Sequence, residues 1–380
     1  MSATRRPSEW QRPRRANARH LSAGHALART FPLLGLGKAL LLLLSLAAAV
    51  GGVAGLGGCA RTAASGRARE AAAAPVWPEP PDEPRIVFVR SFSRPADLGI
   101  RGSAIGRFAR WVTGAGQRDQ DLMKPFGIAF DEDDNLCLTD TGANAVCFWE
   151  RGAARWRRWN KAGKLPFLSP VAVAKRKGIV YVADAGRRSV LAFDPTGKLL
   201  FQVTNRLEHP AGLTLVGDRL IVTDSRRHRL VVFDLLGNYL SEFGRRGVGP
   251  GEFNFPTHVV ADRDGNLLVT DSMNSRVQIL DAQGRFQGQI GSLGDSSGHF
   301  TRPKGVAVDT LGHLYVVDAL FDNIQVFDRE GRFLLYLGQA GADPGQFWMP
   351  NGIAISAKNE IFVADSYNRR VQVFRYIGRP

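Results

Sequence analysis

From residue 125 onward apolar and polar residues alternate with a period of two, as in "GVAVDTLGHLYVVDA" (305–319) and "NIQVFD" (323–328), and helical periodicity is nearly absent. Such alternation sends successive side chains to opposite faces of a strand. The strands fall into groups. A proline followed by alternating apolar residues recurs at Pro125, Pro170, Pro210, Pro256, Pro303 and Pro350, at intervals of 45, 40, 46, 47 and 47 residues. Behind each proline an Asp ends the next strand: Asp140, Asp184, Asp224, Asp271, Asp318 and Asp365. Each unit reads strand, turn, strand ending in Asp, turn, strand, Gly-containing turn, strand.

Four short strands in a repeat of this length make a propeller blade, which buries its two faces only against neighbouring blades. Six units predict one all-β domain, a six-bladed β-propeller of four-stranded blades. The last unit runs out after its third strand, "RVQVFRYI" (370–377), whereas "RIVFVRSF" (85–92) stands ahead of the first unit and matches a fourth strand such as "FLLYLG" (333–338). The N-terminal strand 85–92 is therefore predicted to close the ring by pairing two edges that would otherwise be exposed.

The stretches "VADSYNRRVQVF" (363–374), "VTDSMNSRVQIL" (269–280) and "GADPGQFWMPNGIAIS" (341–356) resemble NHL repeats, and the likeness runs from residue 85 to the end. Blades 4 and 6 carry Asp-x-x-Asn-x-Arg at Asp271, Asn274 and Arg276 and at Asp365, Asn368 and Arg370. Blades 1 to 3 depart from it, with Ala143, Arg187 and Arg227 at the Asn position, so their turn chemistry must differ. The Asp is read as accepting backbone hydrogen bonds of its own turn, and Asn274 as the residue that takes the left-handed conformation there. Gly127, Gly212, Gly305 and Gly352, two residues after their prolines, imply close backbone approach near the axis.

Ahead of the propeller lies a basic stretch and then the apolar run "ALLLLLSLAAAVGGVAGLGG" (39–58). Residues 1–58 read as an export signal, and Leu56-Gly57-Gly58-Cys59 resembles a bacterial lipobox, which implies lipid on Cys59. Residues 59–84, built of Ala, Pro, Arg and Glu, read as the lipidated cysteine and a disordered tether to the propeller at 85–380. The expectation is a domain in the periplasm or at the cell surface of a bacterial envelope, lipid-anchored to the outer membrane. In such an oxidising place the remaining cysteines, Cys137 and Cys147, stand as a possible disulfide or as two small buried side chains.

The net charge is +15. About half of it, eight basic residues against Glu9 for a net of +7, lies ahead of Cys59, and a basic cluster gathers where the fourth-to-first and second-to-third connections share one rim: Arg187, Arg188, Arg226, Arg227, Arg229, Arg245, Arg246, Arg276 and Arg370. Like charges collected on one surface suit an anionic partner. A second basic stretch, "ARWRRWNKAGK" (154–164), falls on the outer strand of blade 1 and reads as a charged edge. An amphipathic spacing at Ile105, Phe108, Trp111 and Val112 predicts a short helix in the long connection into blade 1.

His258 takes the axial glycine position of blade 4, and His209 precedes Pro210. Among NHL-like propellers an amidating lyase holds zinc with histidines of several blades. This chain resembles it in scaffold only, so His209 and His258 are metal candidates without a third ligand. No nucleophile elbow, phosphate loop or zincin motif is present, and no cofactor is called for. These features point to a monomeric binding or scaffolding module whose partner is another envelope protein or an anionic envelope polymer, not nucleic acid. The alternative is a lyase or hydrolase, metal-dependent or not, with its site in the axial mouth near His258.

Overall fold

A computed structural model of the protein describes residues 74–100 and 120–378. The export signal, Cys59 and the helical spacing at 105–112 lie outside these described residues. Blade 1 has strands Pro125–Phe130, Leu136–Asp140, Ala145–Glu150 and Arg155–Trp159. Four-stranded antiparallel sheets of the same order follow from Pro170, Pro210, Pro256 and Pro303. Blade 6 is built from Ile353–Ile355, Glu360–Asp365 and Arg370–Tyr376, with Ile86–Phe92 as its fourth strand. Register runs from Ile86 opposite Tyr376 to Phe92 opposite Val371, so the ring closes where the alternation places it.

The second strand of every blade is buried along nearly its whole length, because its two faces pack on two different neighbours. One apolar cluster fills the gap between blades 2 and 3, with Tyr181, Val222 and Phe233 at its centre. Another joins blades 5 and 6 through Tyr315, Leu337, Phe347 and Phe374. At the axis the strands come closer than side chains allow: a Cβ on Gly212 would lie 2.5 Å from the Thr257 carbonyl of the next blade.

One expectation is corrected here, and one pair of alternatives is decided. The region read as tether through residue 84 contains Val76–Trp77, which pairs with Ile86 and Val87 as a fifth strand of blade 6. Trp77 packs edge-on against Phe374 at 5.5 Å, and this apolar contact orders the segment. Cys137 and Cys147 do not face each other. Cys137 lies opposite Phe148 and Cys147 opposite Leu138, so the two thiols project from opposite faces of the blade. Cys137 enters the gap toward blade 2 and Cys147 the gap toward blade 6. Both are free, and burial raises both thiols, Cys147 to about 12.

Candidate binding face and axial site

Pro125 pairs with Asp140, and the equivalent residues of blades 2 to 5 pair likewise, so the connections entering the blades and the Asp turns share one rim. The buried carboxylates hold that rim together. Asp140 accepts hydrogen bonds from the backbone N–H groups of Met123 at 2.8 Å and Lys124 at 2.9 Å, besides Ala143 of its own turn. Asp184 does the same for Leu168, Ser169 and Arg187. The main partner is therefore the incoming connection, and the own turn comes second.

In blades 4 and 6 the Asp also takes side chains. Asp271 accepts from Asn254 N–H, Asn274 Nδ2, Arg276 Nε and Gln278 Nε2, and Asp365 has the matching set with Asn368, Arg370 and Gln372. Asn274 is not the left-handed residue, a role that falls to Ser275 at φ 53°. Its amide instead reaches Gly247 O of the incoming loop at 2.9 Å. Asn144, Arg188, His228, Asp322 and Arg369 hold the same left-handed position in the other blades.

These contacts divide the predicted arginines. Arg276 is buried, donating to Asp271, Gln289, Gly249 O and Glu252 O, and Arg370 is tied in the same way to Asp365, Asp343 O and Gln346 O. Arg229 is largely enclosed, pairing with Glu242 and Asp224 and donating to Arg206 O. Arg187 donates to Pro166 O. Arg227 pairs with Glu208 at 3.5 Å and Arg245 with Glu252 at 2.8 Å. Arg188, Arg226 and Arg246 remain exposed and without an ion-pair partner among the described residues. Burial first, then the charges of Arg226 and Arg188, hold His209 below the usual imidazole range.

The same face carries apolar side chains that the sequence did not single out. Trp348 is 54 % exposed and tilts against Tyr367 at 5.4 Å, and Lys124 Nζ lies 4.6 Å over the Tyr367 ring. Met123, Leu168, Phe255, Met273 and Leu320 are exposed on connections of this rim. Their shared signal is position, just before the proline or two residues after the Asp.

The outer strand of blade 1 matches its reading as a charged edge: Arg155 and Arg157 both pair with Glu150, while Trp159 packs on Phe148 and Phe193 at 5.1 Å each.

The axis is lined by the first strands of all six blades, which enclose a channel of about 710 Å³. His258 lines it, with both ring nitrogens buried and only the Asn351 side chain in hydrogen-bonding reach of the ring, which stacks over Phe126 of blade 1 at 6.4 Å. Burial and the charge of Lys304 push His258 down to about 3, so the imidazole is neutral. Thr257 Oγ1 is likewise buried without a partner, and Asn351 Oδ1 has only the His258 ring in reach. Lys304 is pushed down to about 8 by burial and by the like charge of Arg302. Thr257, Lys304 and Asn351 each follow a repeat proline, a column that in blades 1 to 3 holds Phe126, Val171 and Ala211. His209 is held apart by Ser225 at 2.9 Å, and among the described residues no three His, Cys, Asp or Glu gather as metal ligands.

A family model described as a 6-bladed beta-propeller matches residues 204–268, and one described as an NHL repeat matches 347–374. Protein brain tumor of Drosophila melanogaster is 26 % identical over 136 residues, 34 % of this chain and 13 % of that protein. The chain thus spans about an eighth of that relative. A gluconolactonase of Xanthomonas campestris superposes with a TM-score of 0.52 at 16 % identity, covering 67 % of this chain and 86 % of that one. An auxiliary nutrient binding protein of Bacteroides thetaiotaomicron gives 0.53 at 12 % identity, covering 68 % and 70 %. At these identities the solved structures speak for the fold alone. With its ring of six four-stranded blades the chain is a six-bladed β-propeller, and it carries an NHL repeat at 347–374.

Proposed function

We propose that this propeller is a lipid-anchored envelope module that binds another protein through its Asp-turn face. The observation that carries the reading is the meeting, on one rim, of exposed Trp348, Tyr367, Phe255 and Met273 with the unpaired Arg188, Arg226 and Arg246. Aromatic, Met and Arg side chains are the residues that protein interfaces concentrate at their centres. The planar guanidinium fork bonds carboxylates bidentately, so the expected partner surface is acidic. Similarity to a fragment of Protein brain tumor and to an auxiliary nutrient binding protein supports the propeller as scaffold, and the partner is argued from this face. Anchoring through Cys59 would present the domain on the envelope, the outer membrane being the favoured site.

The test compares capture from an envelope extract by wild type, by Arg188→Glu/Arg226→Glu/Arg246→Glu and by Trp348→Ala. A partner held by wild type in low salt, released as salt rises and lost by both variants supports the reading. Equal capture by all three removes this face from the role. Cys59→Ala is expected to leave an uncleaved precursor, and normal maturation would remove the lipid anchor.

A second reading, an enzyme working at the axis, draws on the buried His258 ring, which only the Asn351 side chain approaches.

A further inference from the structure

We infer that Lys304, His258, Asn351 and Thr257 form a binding site for a carboxylate at the axial end of the channel. Three blades in succession carry a polar residue directly after the repeat proline, where blades 1 to 3 carry Phe126, Val171 and Ala211, and Lys304 and Asn351 lie near enough to the channel-lining His258 to act on its ring. In a chain whose buried polar groups are otherwise mostly paired, four of the eight buried atoms that lack a well-formed hydrogen bond among the described residues fall here: Thr257 Oγ1, and His258 Nδ1, His258 Nε2 and Asn351 Oδ1, whose two side chains have only each other in reach. Unsatisfied buried groups are costly, and their concentration at one point of a ring marks a place made for a ligand.

The donors define the ligand. Lys304 Nζ, the N–H of the neutral His258 ring, the Thr257 hydroxyl and, with its amide turned, Asn351 Nδ2 can all donate to one acceptor-only group. A cation is excluded by Lys304, which no carboxylate among the described residues pairs and whose neighbouring charge, Arg302, has the same sign. A single carboxylate balances a single ammonium, whereas a phosphate dianion would leave a charge uncompensated in a site of low polarity. The Phe126 ring, stacked on His258, supplies an apolar wall for the carbon chain. Access is open along the channel, whose far end is lined by Glu132, Arg176 and Gly265. The carboxylate is free in solution or is an acidic side chain of a docked protein.

The test titrates the full chain, labelled at histidine, with propionate, with a capped tripeptide containing Glu, and with inorganic phosphate. Propionate or the peptide should move the His258 ring signals saturably, and which of the two binds more tightly identifies the source. Lys304→Met should weaken that binding at least about tenfold while its melting temperature stays at or above wild type. Asn351→Asp brings a tethered carboxylate to Lys304, so its melting temperature should rise and propionate binding should vanish. Phosphate binding as tightly as propionate, unmoved His258 signals with either carboxylate, undiminished binding by folded Lys304→Met, or a lower melting temperature of Asn351→Asp would each overturn the site. This inference and the reading of the rim fail separately, because Lys304→Met tests propionate and the arginine reversals test partner capture.

Discussion

Blades 1 to 3 and blades 4 to 6 share one strand plan and differ in what fills the third strand. In blades 4, 5 and 6 its third residue is Gln278, Gln325 or Gln372, fully or nearly fully buried, and in blades 1, 2 and 3 it is Cys147, Leu191 or Val231. Each glutamine holds the loop that enters its blade. Gln278 accepts from Gly251 N–H at 2.9 Å and donates to Glu252 O at 2.6 Å, Gln325 does so with Gly298 and His299, and Gln372 with Gly345 and Gln346. The loops so held, 244–255, 291–302 and 338–349, each fold back on themselves in a short parallel bridge. Among the described residues, blades 1 to 3 have neither this bridge nor the glutamine. The same half supplies the axial polar groups, so one half of the ring is built around polar networks and the other around apolar contact.

The largest expected contrast is between equivalent carboxylates. Asp271→Ala leaves the buried Arg276 guanidinium without its partner, and breaking a buried ion pair costs about 3 to 5 kcal/mol. Asp184→Ala removes hydrogen bonds from backbone N–H groups only, a loss of about 1 to 3 kcal/mol. Chemical denaturation of both variants measures the difference, and equal losses would show that the arginine adds nothing to blade 4.

Next in size is Lys304. Its folded pKa of about 8 lies below the ordinary value of 10.5, so below about 8 the folded chain carries a buried charge at a cost of at most about 3 kcal/mol. Between the two values the unfolded chain still holds a proton that the folded chain has released. Wild-type stability should therefore rise with pH across that window. Lys304→Met should be the more stable protein at pH 7 and lose that part of the pH dependence. Parallel pH profiles for the two proteins would contradict the burial of this charge. A binding residue that lowers stability fits a site kept for its ligand.

Gln278→Leu comes third, at about 2 kcal/mol, because Gly251 N–H and Glu252 O lose a partner that water replaces in part. Hydrogen exchange at Gly251 should accelerate while the connections of blades 2 and 3 exchange as before. Acceleration in all blades alike would mean that the loop is not held locally.

Strand pattern carried the fold well. Alternation gave the six blades, and the missing strand after residue 377 gave the closure, because both depend on backbone periodicity alone. What lay beyond reach depends on partners distant in sequence. Arg276 and Arg370 look like solvated turn residues until the Asp five positions earlier is placed under them, and a rim of nine candidate arginines shrinks accordingly. The axial column was legible in principle, since Thr257, Lys304 and Asn351 all follow a repeat proline, yet only His258 broke a glycine pattern strongly enough to be noticed. Exposed Trp348 and Met273 are marked by position alone, just before the proline or two residues after the Asp, and apolar residues in such a loop read equally as packed or free.

The smallest effect concerns the cysteines of blade 1, where hairpin register decides between two outcomes that spacing leaves open. An even separation along the chain puts two residues on one face only within a single strand; across a turn the register sets the face. Here Cys147 stands opposite Leu138, so Cys137 is one position off and on the other side of the sheet. Both thiols are buried and raised, which leaves little thiolate to react. The melting temperature should be the same with and without reductant, and thiol reagents should label neither residue until the blade unfolds. Leu138→Cys places a thiol directly across from Cys147, within the separation a disulfide spans. Under oxidation that variant should form a bond that reductant reverses, while wild type forms none. A reductant-sensitive melting curve in wild type would show that the hairpin is paired one residue out of this register.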